Sequence, residues 1–176
     1  MKRSTAVVSL LLLPLALFGL ALTTGCSSSP EPASIPHFAS PMAGVYSSGQ
    51  PSPEQFAALP SIGIKRVINL RAPGESGTGW EEQRARELGI EFVRLPIAGK
   101  DGLSRANVER FAAELAQPSE AGVLVSCGSS NRVGAMFALK AAWLDGASKE
   151  TALSIGRKAG LTKLEPAVAE LLDQKR

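Results

Sequence analysis

From Val123 to Gly134 the chain reads Val-Leu-Val-Ser-Cys-Gly-Ser-Ser-Asn-Arg-Val-Gly. Cys127 closes an apolar run, small polar residues follow, and Arg132 ends the set. Small residues let a backbone curl until successive N–H groups point inward and cradle an anion. A helix starting just beyond the loop adds the positive end of its dipole. The same field favours the thiolate of a cysteine at the base of the loop, which makes Cys127 a candidate nucleophile. Arg132 brings a planar fork suited to two anion oxygens. Thiolate, cradle and arginine together are what attack on a phosphate ester requires.

Cys127 has three other readings: buried filler, disulfide half and metal ligand. Cysteine is often buried as a small apolar residue. The only other cysteine is Cys26, and the only histidine, His37, stands far from Cys127 in sequence with no ligand spacing, so no metal or organic cofactor is expected.

The N-terminus decides what Cys26 does. Met1-Lys2-Arg3 is a basic n-region, and Ala6 to Leu22 is an apolar stretch of the length expected for a cleaved secretory signal. Leu22-Thr23-Thr24-Gly25-Cys26 resembles a bacterial lipobox, with Thr23 where leucine is usual. That resemblance implies a signal peptide over residues 1–25 and lipidation of Cys26. Ser27, where an aspartate would favour retention at the inner membrane, implies an outer-membrane protein facing the periplasm. A lipidated Cys26 leaves Cys127 without an intrachain partner, and a lone thiol in an oxidising compartment is liable to oxidation. Loss of palmitate labelling on Cys26→Ala is the expected check.

Removing the leader also alters the charge argument. The chain holds 19 Lys and Arg against 16 Asp and Glu, and Lys2 and Arg3 leave with the leader, so 17 basic residues remain against 16 acidic ones. A net charge near +1, with no basic run interleaved with aromatics, speaks against a nucleic-acid partner. Residues 26–40 read as a lipidated Ser/Pro-rich tether, and residues 41–176 as one domain with a single core. Oligomeric state has no signature in the sequence.

Strands are expected at Gly44–Ser48, Lys65–Leu70, Glu91–Leu95 and the wholly apolar Gly122–Val125. Helices are expected after the Ser52-Pro53-Glu54-Gln55 capping box, over Glu81–Leu88, after Ser104, over Val133–Leu144, from Ser148 to Gly160, and over Leu164–Leu172. This alternation predicts an α/β fold with a mainly parallel central sheet flanked by helices. Ligands of such sheets bind beyond the carboxyl ends of the strands. Arg71, Gly99–Gly102 and Cys127–Arg132 therefore meet on one rim.

The Cys127–Arg132 loop resembles the signature loop of the cysteine-based protein tyrosine and dual-specificity phosphatases. More closely, the chain is similar to the phosphatase-like domain of bacterial beta-lactamase-hydrolase-like proteins. Tyr46-Ser47-Ser48-Gly49-Gln50-Pro51-Ser52, Val67-Ile68-Asn69-Leu70-Arg71, Leu88-Gly89-Ile90, Leu95-Pro96-Ile97 and Ser126 to Gly134 fall in that branch's order, covering Val45 to about Leu161. The resemblance implies a dual-specificity-phosphatase-like fold. It makes Cys127 the nucleophile that forms a thiophosphate and Arg132 the phosphoryl clamp. The backbone of Gly128, Ser129, Ser130 and Asn131 would complete the cradle. Asp101, 26 residues before Cys127, is either the general acid that protonates the leaving alkoxide or a solvated turn residue. Arg71 either neutralises a second phosphate or, the preferred reading, pairs with Glu75. The implied partner is a phosphate-bearing small molecule or phosphoprotein.

Three departures separate this loop from the tyrosine phosphatases. Four residues rather than five lie between Cys127 and Arg132, Ser126 replaces the usual histidine, and Val133 the usual hydroxyl residue. The bacterial branch shares the short loop. Two alternatives to a phosphate-monoester hydrolase follow. One is a rhodanese-type sulfurtransferase, whose loops are similarly short and carry a persulfide. The other is a lipid-anchored anion-binding module without turnover.

Overall fold

The computed structural model describes residues 34–119 and 121–174. The expected signal peptide, the lipidation residue Cys26 and most of the tether lie outside the described residues. Five strands form one sheet in the order β1 (Ala39–Met42), β2 (Val45–Ser48), β5 (Gly122–Ser126), β3 (Ile64–Asn69), β4 (Glu91–Arg94). All neighbours run parallel except β1, which pairs antiparallel with β2. The sheet is mainly parallel, as the alternation of strand and helix predicts.

Two helical layers cover it. On one face sit α1 (Pro53–Ala57), a 3-10 turn (Leu59–Ile62) and α2 (Glu81–Leu88), packing Phe56, Leu59 and Ala85 with Ile64, Val67 and Leu124. On the other face sit α3 (Arg105–Leu115), α4 (Asn131–Trp143), α5 (Lys149–Lys158) and α6 (Glu165–Asp173). Their core joins Val108, Phe111, Met136, Leu139 and Val168 to Ile68, Val123 and Val125. Successive β5 residues alternate between these cores, Val123 and Val125 in one and Leu124 in the other, because strand side chains have a period of two. A strand buried on both faces must be apolar throughout, which explains the central position of Gly-Val-Leu-Val-Ser.

Local signals set the element ends. Ser52 and Gln55 form both halves of a capping box: Ser52 Oγ accepts from Gln55 N–H at 3.2 Å, and Gln55 Oε1 accepts from Ser52 N–H at 2.8 Å. Ser104 and Ser148 cap α3 and α5. Gly89 ends α2 in the left-handed conformation at φ 66°, where a residue with a Cβ would be strained.

The folded unit starts earlier than the expected tether end at residue 40. Ile35 is 4% exposed within the α1–α2 core, and Ala39–Met42 forms the edge strand β1. The run Ala-Ser-Pro-Met has no β-branched or aromatic residue and contains Pro41, so its pairing with β2 is what defines it as a strand.

Candidate functional site

The site lies beyond the carboxyl ends of β3, β4 and β5, where one guanidinium joins the three exits. Arg132 Nη1 donates to Glu75 Oε1 at 2.7 Å, to the Ile97 carbonyl at 3.0 Å and to the Leu70 carbonyl at 3.3 Å, while Nη2 donates to Glu75 Oε2 at 2.7 Å. Leu70 and Glu75 follow β3, Ile97 follows β4, and Arg132 follows β5. Of the segments expected on this rim, Arg71 is joined to Arg132 through Glu75, and the loop that carries Gly99–Gly102 is joined to it at its start, through the Ile97 carbonyl.

Cys127 stands at the base of the loop, 1% exposed, directly after β5. Its N–H donates to the Ser48 carbonyl at 3.2 Å, away from the loop. Its thiol lies against Arg132, whose guanidinium is held above its ordinary value first by the Glu75 carboxylate and then by Cys127, against the effect of burial. Gly128 and Ser129 form the exposed tip. Ser130 takes the left-handed conformation (φ 62°) and turns the chain into α4. The first N–H groups of a helix have no partner within it, so this junction presents donors and the positive dipole end to whatever the loop holds.

The side chains of Ser130 and Asn131 turn away from any anion. Ser130 Oγ donates to the Ala159 carbonyl at 2.8 Å, and Asn131 Oδ1 accepts from the N–H groups of Thr162 (2.9 Å) and Leu164 (3.2 Å). Both fasten the loop to the α5–α6 connection, so the Ser130 hydroxyl and the Asn131 Oδ1 are committed to the fold. Gly134 lets α4 approach that connection: a methyl there would lie 2.1 Å from the Leu161 nitrogen.

Arg71 takes the ion-pair reading. It is 8% exposed, donating from Nε to Glu75 Oε2 at 3.2 Å, from Nη1 to Gln50 Oε1 at 3.0 Å and from Nη2 to the Ser76 carbonyl. Every arm of its fork is engaged by protein acceptors. Glu75 also accepts from Ala72 N–H at 2.8 Å, and its carboxyl is lowered to about 2, first by Arg132, then by the Ala72 N–H and by Arg71. Asp101 is exposed in the turn Lys100–Gly102, whose loop begins at Ile97, the residue whose carbonyl holds Arg132.

Sequence reasoning did not reach Glu75 as the partner of Arg132, nor Gln50 and Glu81. Glu81 is fully buried at the start of α2 and accepts from Gly79 N–H (2.7 Å), Asn69 Nδ2 (3.2 Å) and Gln50 Nε2 (3.2 Å), with Arg94 Nη2 at 3.5 Å. A signal was present: an acidic residue in the first turn of a helix after a glycine-rich loop suits the helix dipole. Its burial had none. The donor set around Cys127, one thiol, one guanidinium and main-chain N–H groups, is that of an oxyanion site rather than a cation site.

Residues 37–168 match the family described as a DSP-PTPase phosphatase fused to NAD+ kinase. Over 96 residues the chain is 32% identical to a beta-lactamase hydrolase-like protein of Xylella fastidiosa, covering 52% of this chain and 22% of that relative's length. A Neisseria meningitidis structure described as a candidate phosphatase superposes with TM-score 0.67 at 23% identity, over 80% of this chain and 99% of that one. A DUF442 protein of Shewanella putrefaciens gives 0.63 at 20% identity over 80% and 93%. P. aeruginosa TpbA in complex with pTyr gives 0.60 at 19% identity over 85% and 91%. At these identities the structures establish the shared dual-specificity-phosphatase-like fold.

Proposed function

Because the chain belongs to the family of DSP-PTPase phosphatases described as fused to NAD+ kinase, we propose that it is a membrane-anchored, cysteine-dependent hydrolase of phosphate monoesters, phosphotyrosine included. The observation that carries this reading is the Arg132 fork, fixed by Glu75 on its Nη1–Nη2 edge and lying against the Cys127 thiol. A guanidinium already fixed at a thiol costs no reorganisation when charge develops on a bound phosphoryl group.

In this mechanism the Cys127 thiolate attacks phosphorus. The S–P bond forms as the ester P–O bond breaks, and Asp101 gives its proton to the departing alkoxide. Arg132 and the backbone of Gly128, Ser129, Ser130 and Asn131 hold the phosphoryl oxygens throughout. A water molecule, losing its proton to the Asp101 carboxylate, then attacks phosphorus, breaks the S–P bond and releases inorganic phosphate. The substrate is a phosphate-bearing small molecule or a phosphoprotein. The pTyr bound in the P. aeruginosa relative supports the aryl ester as the first to try. Cleavage after residue 25 and lipid on Cys26 would hold the domain at the outer membrane, facing the periplasm.

The test is hydrolysis of an aryl phosphate by the full-length protein. Turnover in the parent and its loss in Cys127→Ser are the expected results. Thiocyanate production from thiosulfate and cyanide, without phosphatase activity, would assign the sulfurtransferase reading instead. Phosphate binding with neither activity would leave an anion-binding module. Palmitate labelling lost in Cys26→Ala checks the anchor independently.

A further inference from the structure

Ser48-Gly49-Gln50 takes no part in the chemistry above, yet each of the three touches the anion loop. The Ser48 carbonyl accepts the Cys127 N–H at 3.2 Å. Gly49 lies between the chain entry and the loop. Its N–H donates to the Pro36 carbonyl at 2.7 Å, and it forms a bridge with Ser129. A methyl group at Gly49 would lie 3.2 Å from both the Gly128 and the Pro36 carbonyl oxygens, a tight fit that glycine relieves. Gln50 N–H then donates to the Gly128 carbonyl at 3.3 Å.

That last bond sets the direction of a loop donor. A peptide group is planar and trans, so its C=O and N–H point opposite ways. With the Gly128 carbonyl held toward Gln50, the Ser129 N–H is turned away from β2 and across the loop. The side chain of Gln50 acts on the other half of the site. Its Oε1 accepts from Arg71 Nη1 at 3.0 Å, and its Nε2 donates to Glu81 Oε1 at 3.2 Å. Glu81 is itself fixed by Gly79 N–H and Asn69, so it sets the amide's orientation. Arg71 then holds Glu75 at 3.2 Å, and Glu75 holds Arg132 by two bonds of 2.7 Å.

The residue type follows from these neighbours. Position 50 must present a donor to a buried carboxylate and an acceptor to a guanidinium, and the carboxamide has one of each. A carboxylate there would face Glu81 as a like charge, and an ammonium would face Arg71.

We propose that Gln50 is a positioning residue that orients both halves of the anion site: the Gly128–Ser129 peptide through its backbone and the Arg132 fork through its amide, by way of Arg71 and Glu75. The inference rests on the reading of Cys127–Arg132 as an oxyanion site.

The experiment is calorimetric binding of inorganic phosphate to the full-length Cys127→Ser protein, which is independent of turnover. Adding Gln50→Met, near-isosteric but without hydrogen bonds, is expected to weaken phosphate binding about tenfold. Arg71→Met should weaken it similarly. The double variant should fall within about twofold of Arg71→Met alone, because both changes cut one relay. A merely structural role would lower the melting temperature without this non-additivity. Should Gln50→Met fail to fold, Gln50→Ala carries the same comparison. Phosphate affinity unchanged by the Gln50 variant overturns the proposal, and so do effects that multiply to about a hundredfold in the double variant. No phosphate binding by the Cys127→Ser parent would overturn the oxyanion reading itself, a separate result.

Discussion

Glu75 and Arg132 face each other through two bonds of 2.7 Å, although 57 residues separate them in the chain. A paired fork of this kind fixes the guanidinium plane as well as its position. It also ties the exit of β3 to the start of α4, so one ion pair serves both the fold and the site.

The pair's pH behaviour follows from its sign. The Glu75 carboxyl is lowered to about 2, so its contribution is fully present above the unfolded value of about 4.3 and is lost as pH falls through about 2. Arg132 is shifted upward, which removes it further from the neutral range. Neither group titrates between about pH 5 and 9. Glu75→Gln should therefore lower kcat/KM about tenfold while leaving the shape of the pH–rate profile over that range unchanged. An acid limb that moves in the variant would show that Glu75 titrates during turnover and refute the assignment.

Asn131 gives a prediction of the opposite kind. Its Oδ1 accepts from Thr162 and Leu164 N–H and so holds the segment that leads into α6. Asn131→Ala should cost about 1 kcal/mol, as loss of a side-chain-to-backbone hydrogen bond does, and lower the melting temperature by roughly 4 °C. Phosphate affinity should stay within about twofold, since no side-chain bond to the anion is removed. A large loss of affinity at unchanged melting temperature would place the side chain in the cradle after all.

Gly134 tests how tightly the loop's supporting helix is packed. A Cβ at this position would lie 2.1 Å from the Leu161 nitrogen and 2.6 Å from the Gly156 carbonyl oxygen, both backbone atoms that cannot swing aside. Gly134→Ala should destabilise by about 3 kcal/mol, a shift of roughly 10 °C in thermal unfolding. Helix propensity alone would make alanine the better residue by up to about 1 kcal/mol, so the sign of the change is diagnostic.

What was legible in the sequence was local. The capping box, the apolar Gly122–Val125 run and the Glu81–Leu88 helix each depend on residues within a few positions, and the structure has them where the patterns put them. The loop from Cys127 to Arg132 was legible because its residue types are contiguous. Glu75 as the clamp on Arg132 was not, because no short-range pattern encodes a contact across 57 residues. The burial of Ile35 and strand β1 were hidden for a related reason: Ser/Pro-rich composition reads as tether, and only pairing with β2 reveals otherwise. Ser130 and Asn131 were placed in the right loop, but their side chains answer to Ala159, Thr162 and Leu164, which only tertiary structure brings near.

Asp101 is the proposed acid, and leaving-group chemistry gives it a discriminating test. It is exposed in the Lys100–Gly102 turn, in the loop that starts at Ile97 beside Arg132. A general acid matters in proportion to the basicity of the group that departs. An alkoxide needs its proton as the P–O bond breaks, whereas an activated phenolate leaves without one. Asp101→Asn should therefore slow hydrolysis of an alkyl phosphate by about a hundredfold or more and that of an activated aryl phosphate far less. Its melting temperature should match the parent, because exposed turn residues contribute within about 0.5 kcal/mol. Equal slowing of both esters would remove Asp101 from proton transfer and leave it as a turn residue, with the acid to be sought elsewhere on the rim.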